Sequence, residues 1–168
     1  MDGLDLSKYI FDRTKLDVER WRELRDKGLI GMTSDEKKEW NGEYTRIPSA
    51  SRGMYTHNDL NRVETGVSEI VTRLQELGLP VPEMTIKTNW TYRDTITKDD
   101  MIRYFSNVET LRSTVGVFSN TPRTPTVYGK FDYTKANAVE KILYDVSSKL
   151  NMITESRYYV GELRLGEV

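Results

Sequence analysis

The chain has 168 residues, with 25 Lys and Arg against 26 Asp and Glu, one His and no Cys. A net charge of −1 lacks the excess of cations that nucleic-acid binding requires, and a mean hydropathy of −0.62 without an apolar run of about 18 residues excludes a spanning helix. The missing cysteines exclude disulfides and cysteine metal sites, and the first residues are neither basic nor apolar enough for a signal peptide. We therefore expect one globular domain, made in the cytoplasm, with neither nucleic acid nor a membrane as its partner.

Two short helices are predicted near the amino terminus. Thr14 can cap a first helix over residues 15–27, and Gly28 offers the left-handed residue that ends it. The capping box Thr33-Ser34-Asp35-Glu36 then opens a short helix that reaches Trp40. Residues 41–55 carry Gly, Pro and Ser without a sustained period, which predicts an irregular arm.

The strongest periodic signal follows this arm. Apolar residues step by three and four positions until Gly78 and Pro80 close the pattern, which is typical of a helix with one buried seam. The seam can be intramolecular core or an oligomer interface, and we favour core in a helix this short. Gly66 within it indicates the close approach of a neighbouring backbone. The seam comprises Leu60, Val63, Val67, Ile70, Leu74 and Leu77.

Two further helices are predicted after Pro80. Residues 84–92 have weak strand character, and Thr97 then caps a helix over 98–114. Residues 116–132 form a second arm, after which Thr134 caps the last helix. The apolar stripes of these helices are Met101, Ile102, Phe105, Val108 and Leu111, and Val139, Ile142, Leu143, Val146, Leu150 and Ile153.

These elements predict a mainly α fold, a small helical bundle. It has three main helices plus a short N-terminal helical pair, with extended arms and a short extended C-terminal tail. Within one compact domain, we separate an N-terminal helical segment and arm (1–54), a helical body (55–156) and a C-terminal docking tail (157–168).

The starts of the two best helices echo each other. Tyr55-Thr56 precedes Asn61-Arg62-Val63-Glu64, and Tyr133-Thr134 precedes Asn137-Ala138-Val139-Glu140. The offsets differ by two residues, so both an internal duplication and shared capping chemistry account for the echo, and the second requires less. The common content is a capped start, a polar Asn and then core.

Titratable residues offer little for catalysis. His57 is the only imidazole, and Asp99 and Asp100 are adjacent carboxylates, but all three lie in first helical turns, where capping and helix-dipole roles are usual. The glycines of 28–31 lack the lysine and hydroxyl of a phosphate loop. We therefore expect no catalytic residue, no cofactor, no metal site and no enzymatic activity.

The ten Tyr and three Trp residues are the strongest indication of function in the sequence, because amphipathic aromatic residues are enriched at the centres of protein–protein interfaces. Trp40 and Tyr44 lie at the start of the first arm, and Tyr158, Tyr159 and Leu163 lie in the tail. We interpret these five residues as candidate contacts to other chains.

Short segments along most of the chain resemble, in the same order, a module that recurs in structural proteins of tailed bacteriophages and prophages of Gram-positive bacteria. Each segment alone is nonspecific, and the ordered set carries the resemblance. The segments include Phe11-Asp12-Arg13-Thr14, Met32-Thr33, Glu39-Trp40, Asp59-Leu60-Asn61-Arg62-Val63-Glu64, Lys87-Thr88-Asn89-Trp90-Thr91, Arg103-Tyr104, Val139-Glu140-Lys141-Ile142-Leu143, Tyr158-Tyr159 and Gly161-Glu162-Leu163.

The resemblance implies a non-enzymatic virion protein, made in the host bacterial cytoplasm. Such a protein is a tail, baseplate or fibre-associated adaptor that docks onto other phage structural proteins, in several copies or as a homo-oligomer. Two alternatives remain open: a module that binds a host-surface carbohydrate or protein, and a neck or head-surface decoration protein.

Overall fold

The computed structural model describes residues 3–43 and 48–165, with side chains up to residue 157. The chain is mainly helical, as its sequence predicts, and these residues contain no strand. The expected weak strand over 84–92 is therefore wrong, because this segment is extended but has no neighbouring strand with which to pair. The helices are α1 (Lys15–Gly31), α2 (Ser34–Trp40), α3 (Ala50–Gly53), α4 (His57–Glu76), α5 (Lys98–Val115) and α6 (Tyr133–Leu165).

Capping chemistry explains where the helices begin. In α1, α2, α4 and α5, a Thr hydroxyl accepts a backbone N–H of the first turn while an acidic side chain accepts the backbone N–H of that Thr. The predicted cap of α6, Thr134, is wrong. Asp132 accepts the backbone N–H groups of Thr134 and Lys135, each at 3.1 Å, because its carboxylate reaches the first turn from two residues earlier.

The seam of α4 is intramolecular core, as predicted. All six of its apolar side chains are buried against residues of α5 and α6 such as Phe105 and Ile142. The stripe of α5 differs at one position, since Ile102 is exposed and Tyr104 is buried in the core instead. The intervening arm 116–132 packs against the same core through Val117, Val127 and Phe131.

Extended segments run back along the helices. In the N-terminal segment (residues 3–13), Leu4 contacts Asn151 and Arg13 contacts Asn137, so the segment is antiparallel to α6. Tyr9 of this segment is buried in the main core, so the helical body includes residues before position 55.

The same segment is also antiparallel to α4. Lys8 pairs with Glu69, and Arg13 pairs with Asp59 ten residues earlier in the helix. Since the segment is antiparallel to both helices, α4 and α6 run parallel to each other. The N-terminal segment therefore fills the groove between two parallel helices.

An asparagine and a glutamate of α6 clasp the backbone of the N-terminal segment. Asn137 accepts the Arg13 N–H at 3.1 Å and donates to the Arg13 carbonyl at 2.8 Å. Glu140 accepts the N–H of Ile10 at 2.7 Å. Asn137 and Glu140, which together we call a clasp, thus bind backbone groups that an extended chain outside a sheet would leave without hydrogen-bond partners.

The echoed residues of α4 clasp the middle segment (residues 84–94) in the same way. Asn61 accepts the Trp90 N–H at 2.7 Å and donates to the Trp90 carbonyl at 2.8 Å. Glu64 accepts the N–H of Lys87, three residues earlier, at 3.0 Å. The echo therefore reflects more than capping, because both Asn and Glu pairs hold extended backbone at the same spacing.

The two clasps are related by a nearly constant shift along the sequence. Asn137 lies 76 positions after Asn61, and Trp90 lies 77 positions after Arg13. Helix α6, in the second half of the chain, binds the N-terminal segment, and helix α4, in the first half, binds the middle segment. The same shift of 76 relates the core positions Leu60, Val63, Val67, Ile70, Leu74 and Leu77 to Ala136, Val139, Leu143, Val146, Leu150 and Ile153.

Gly28 and Gly66 agree only in part with what the sequence predicts for them. Gly28 has a positive φ of 65°, as expected of a left-handed residue, but the chain resumes a helical turn after this kink and α1 ends at Gly31. At Gly66 the close neighbour is a side chain and not a backbone, because an added Cβ would lie 2.7 Å from the Tyr9 hydroxyl oxygen.

The N-terminal helices form a small lobe with its own core. Leu24, Met32 and Ala50 are buried together, and Trp21 and Trp40 pack against them. The short helix α3 belongs to this lobe and lies inside the expected irregular arm 41–55.

The C-terminal tail is not extended, contrary to expectation. Residues 157–165 continue α6, which is 33 residues long. Adding residues to an existing helix is easier than starting one, so the β-branched and aromatic residues of this stretch do not break it.

A prediction follows for the clasps. Replacing Asn61 by Ala leaves both backbone groups of buried Trp90 without partners, and we expect the free energy of unfolding to fall by about 2–4 kcal/mol. Urea denaturation measures the change. Asn58→Ala, at an exposed position of the same helix, should change stability by less than about 0.5 kcal/mol. Equal losses in the two variants would contradict the clasp.

Candidate functional site

The candidate interface residues whose backbone the structure describes do not lie together: one is in the lobe and three are at the end of α6. Trp40 packs partly buried against the lobe core. Tyr44 lies outside the described residues. Tyr158, Tyr159 and Leu163 lie on the last turns of α6, where only the backbone is described.

The acidic and imidazole residues serve at helix starts. Asp100 completes the capping box of α5, and His57 is the first residue of α4. Hydrogen bonds from Thr97 hold the pKa of Asp100 below its usual value. Within the described part of the chain, no group of three His, Cys, Asp or Glu side chains could hold a metal ion.

A cluster of four charges lies where the N-terminal segment meets α4 and α6, and three of them, Arg13, Asp59 and Glu140, are buried while Arg62 is half-buried. Arg13 Nη2 lies 3.0 Å from Asp59 Oδ1 and 2.8 Å from Glu140 Oε1. Arg62 Nη2 lies 2.7 Å and 2.8 Å from the same two oxygens. Two guanidinium groups thus balance two carboxylates, and Glu140 is fully buried.

Each carboxylate of this cluster also binds backbone. Asp59 accepts the Thr56 N–H at 2.7 Å in the α4 cap, and Glu140 accepts the Ile10 N–H in the clasp. Burial alone would lower the pKa of Arg62, but its hydrogen bond to Glu140 and the charges of Glu140 and Asp59 raise it. The cluster is suited to fixing three chain segments in one arrangement and not to transferring protons.

Glu64 forms a second buried junction. It accepts two hydrogen bonds from Arg103, at 2.6 and 2.9 Å, and one from the indole N–H of Trp90 at 3.4 Å. Together with its bond to Lys87, Glu64 connects α4, α5 and the middle segment. The echoed Asn and Glu residues were the only sequence signal of either junction.

Two tyrosines form a hydrogen bond with each other beside the charge cluster. The hydroxyl oxygens of Tyr55 and Tyr104 lie 2.6 Å apart. Burial raises the pKa of both phenols above its usual value.

A cleft of about 420 Å³ opens between the lobe and the start of α6. Its walls come from α1, from residues 52–55 and from residues 130–133. Aromatic side chains and several cations line it, among them Trp21, Arg22, Arg52, Lys130 and Phe131.

The end of α1 exposes an aliphatic pair. Beyond the kink at Gly28, Leu29 is 60% exposed and Ile30 is fully exposed. Neither side chain belongs to the lobe core.

No helix in the described ranges is long and apolar enough to cross a membrane.

No protein-family model, curated protein or solved structure matches the chain.

The charge cluster gives a second prediction. Glu140→Gln removes one buried charge from a charge-balanced cluster and leaves the guanidinium groups of Arg13 and Arg62 short of a partner, so we expect the free energy of unfolding to fall by about 3–5 kcal/mol. Glu155→Gln, at an exposed position of the same helix, should change the free energy of unfolding by less than about 0.5 kcal/mol. Thermal and urea denaturation provide the comparison, and a Glu140→Gln protein as stable as wild type would refute the role of the cluster.

Proposed function

We propose that the protein is a non-enzymatic structural component of a tailed bacteriophage virion, an adaptor of the tail, baseplate or fibre region that docks onto neighbouring subunits. The ordered resemblance to phage structural modules supports this class of particle. The shape of α6 is the observation that supports docking.

The last helix continues past the end of its parallel neighbour. Arg157 donates to the Leu77 carbonyl, at the C-cap of α4, so the two helices are level at this point. From there α6 continues through residue 165, and eight further helical residues extend about 12 Å. This extension contains Tyr158, Tyr159 and Leu163.

A projecting helix suits docking because the body behind it is rigid. The clasps and the charge cluster fix the N-terminal and middle segments on α4 and α6, and all of these contacts precede residue 157. A partner that binds the extension therefore binds a helix whose direction is fixed, which lowers the entropy lost on association.

The direct test asks where the protein resides. Tailed particles purified from a bacterium that carries the gene should contain this chain at a fixed ratio to the major tail protein, measured by quantitative mass spectrometry. A chain found only in the particle-free lysate would contradict the proposal. A chain that joins particles only after they are mixed with host cell wall would support the host-surface binding alternative.

A third prediction concerns the helical extension. A chain ending at Arg157 should keep its helical circular dichroism per residue and its unfolding midpoint, because the core and clasps are intact, but should no longer join particles. The matched point variants are Tyr158→Ser with Tyr159→Ser, against Tyr92→Ser with Tyr128→Ser at exposed tyrosines of the body. Normal incorporation of the truncated chain would contradict docking through α6.

A further inference from the structure

Three residues that line the cleft between the lobe and α6 have an N–H group that lacks an acceptor. The Nε atoms of Arg13 and Arg52 and the indole nitrogen of Trp21 are shielded from solvent and have no hydrogen-bond partner. All three residues line this one cleft. Buried donors without acceptors are rare in folded proteins and call for a partner, such as a bound group that supplies oxygen atoms.

The charges of the cleft also favour an acceptor that is negative. Arg22 and Lys130 line it, both are exposed, and neither has an acidic partner among the residues that the structure describes. The two acids of the lining are already engaged, since Glu19 pairs with Lys15 and Asp132 caps α6. Arg22 and Lys130 therefore contribute two positive charges to the lining that pair directly with no acid of the described chain.

The walls of the cleft are largely apolar. Trp21, Phe131 and Tyr133 contribute aromatic rings, and Val18 and Met54 contribute aliphatic surface. A cavity of about 420 Å³ lies within the size range of small-molecule sites, in which an apolar lining surrounds a few polar groups that fix orientation.

From these observations we propose that the cleft binds a small organic anion, whose carboxylate or phosphate group accepts the orphan N–H bonds and whose apolar body lies on the aromatic wall. Trp21 and Arg52 are partly exposed, and Arg52 also pairs with Asp12. Binding in this way requires a rotation of each side chain that turns its N–H toward the cavity. Arg13 is fixed by Asp59 and Glu140 and contributes its positive charge. This site does not depend on the docking function, because it lies on another part of the molecule from the end of α6.

The first experiment measures binding to the full-length protein by calorimetry and by two-dimensional NMR. Benzoate and phenyl phosphate are the probes, benzyl alcohol is the neutral control, and inorganic phosphate is the anion without an apolar body. We expect saturable binding of at least one aromatic anion, with shifts at the Trp21 indole N–H, and at least tenfold weaker binding of both controls. The better aromatic anion distinguishes a carboxylate from a phosphate ligand. Absence of saturable binding by both aromatic anions, or equal binding of benzyl alcohol, overturns the proposal.

Matched variants then locate the site. Arg22→Gln with Lys130→Gln should weaken anion binding about fivefold, the effect of losing a partly solvated ion pair. Lys98→Gln with Arg123→Gln removes two exposed cations outside the cleft and should leave affinity unchanged. Equal losses in the two double variants would show general charge attraction and overturn the site.

Trp21→Phe separates the orphan donor from ordinary packing. The variant keeps an aromatic ring but lacks the N–H, so anion affinity should fall about fivefold, as for one lost hydrogen bond. Its midpoint in urea without ligand reports separately the packing that the smaller ring loses against the lobe core. A variant that binds anions with normal affinity contradicts the assignment.

Discussion

The fold depends on how extended backbone is satisfied in a protein whose described residues form no sheet. Long extended segments lie along the helices, and the backbone groups of their buried residues, such as Arg13 and Trp90, have no neighbouring strand with which to pair. Asn61 and Asn137 solve this by offering a carboxamide, which presents a donor and an acceptor at the spacing of a peptide group. A glutamate one turn later captures a second N–H in each case.

The remaining architecture follows from these clasps. A segment held antiparallel to two helices requires those helices to run parallel, and parallel helices need long return connections, which the middle segment and the arm 116–132 provide. Glu140 joins the clasp to the charge cluster, because its one buried carboxylate accepts the Ile10 N–H and also pairs with Arg13 and Arg62. The resulting body is rigid, which suits the proposed role as an adaptor with a projecting helix.

Local signals allowed much of the helical fold to be predicted. The α4 seam and the caps at Thr14, Thr33, Thr56 and Thr97 depend on residues within a few positions of one another. The placement of Tyr9, the clasps and the cleft could not be predicted, because each joins residues far apart in the chain. Of the five candidate interface residues, only Trp40 has a described side chain, and its packing in the lobe depends on α3, which the sequence did not indicate.

Amide hydrogen exchange tests the role of the clasps most directly. The backbone N–H groups of Ile10, Arg13, Lys87 and Trp90 lie in extended segments, outside helices and strands, and should nevertheless exchange as slowly as amides in the middle of α4. The N–H of Asn89, an exposed neighbour without a partner in the described chain, should exchange at the rate of an open loop. If all five amides exchange at loop rates, the clasps do not hold the segments and the account of the fold is wrong.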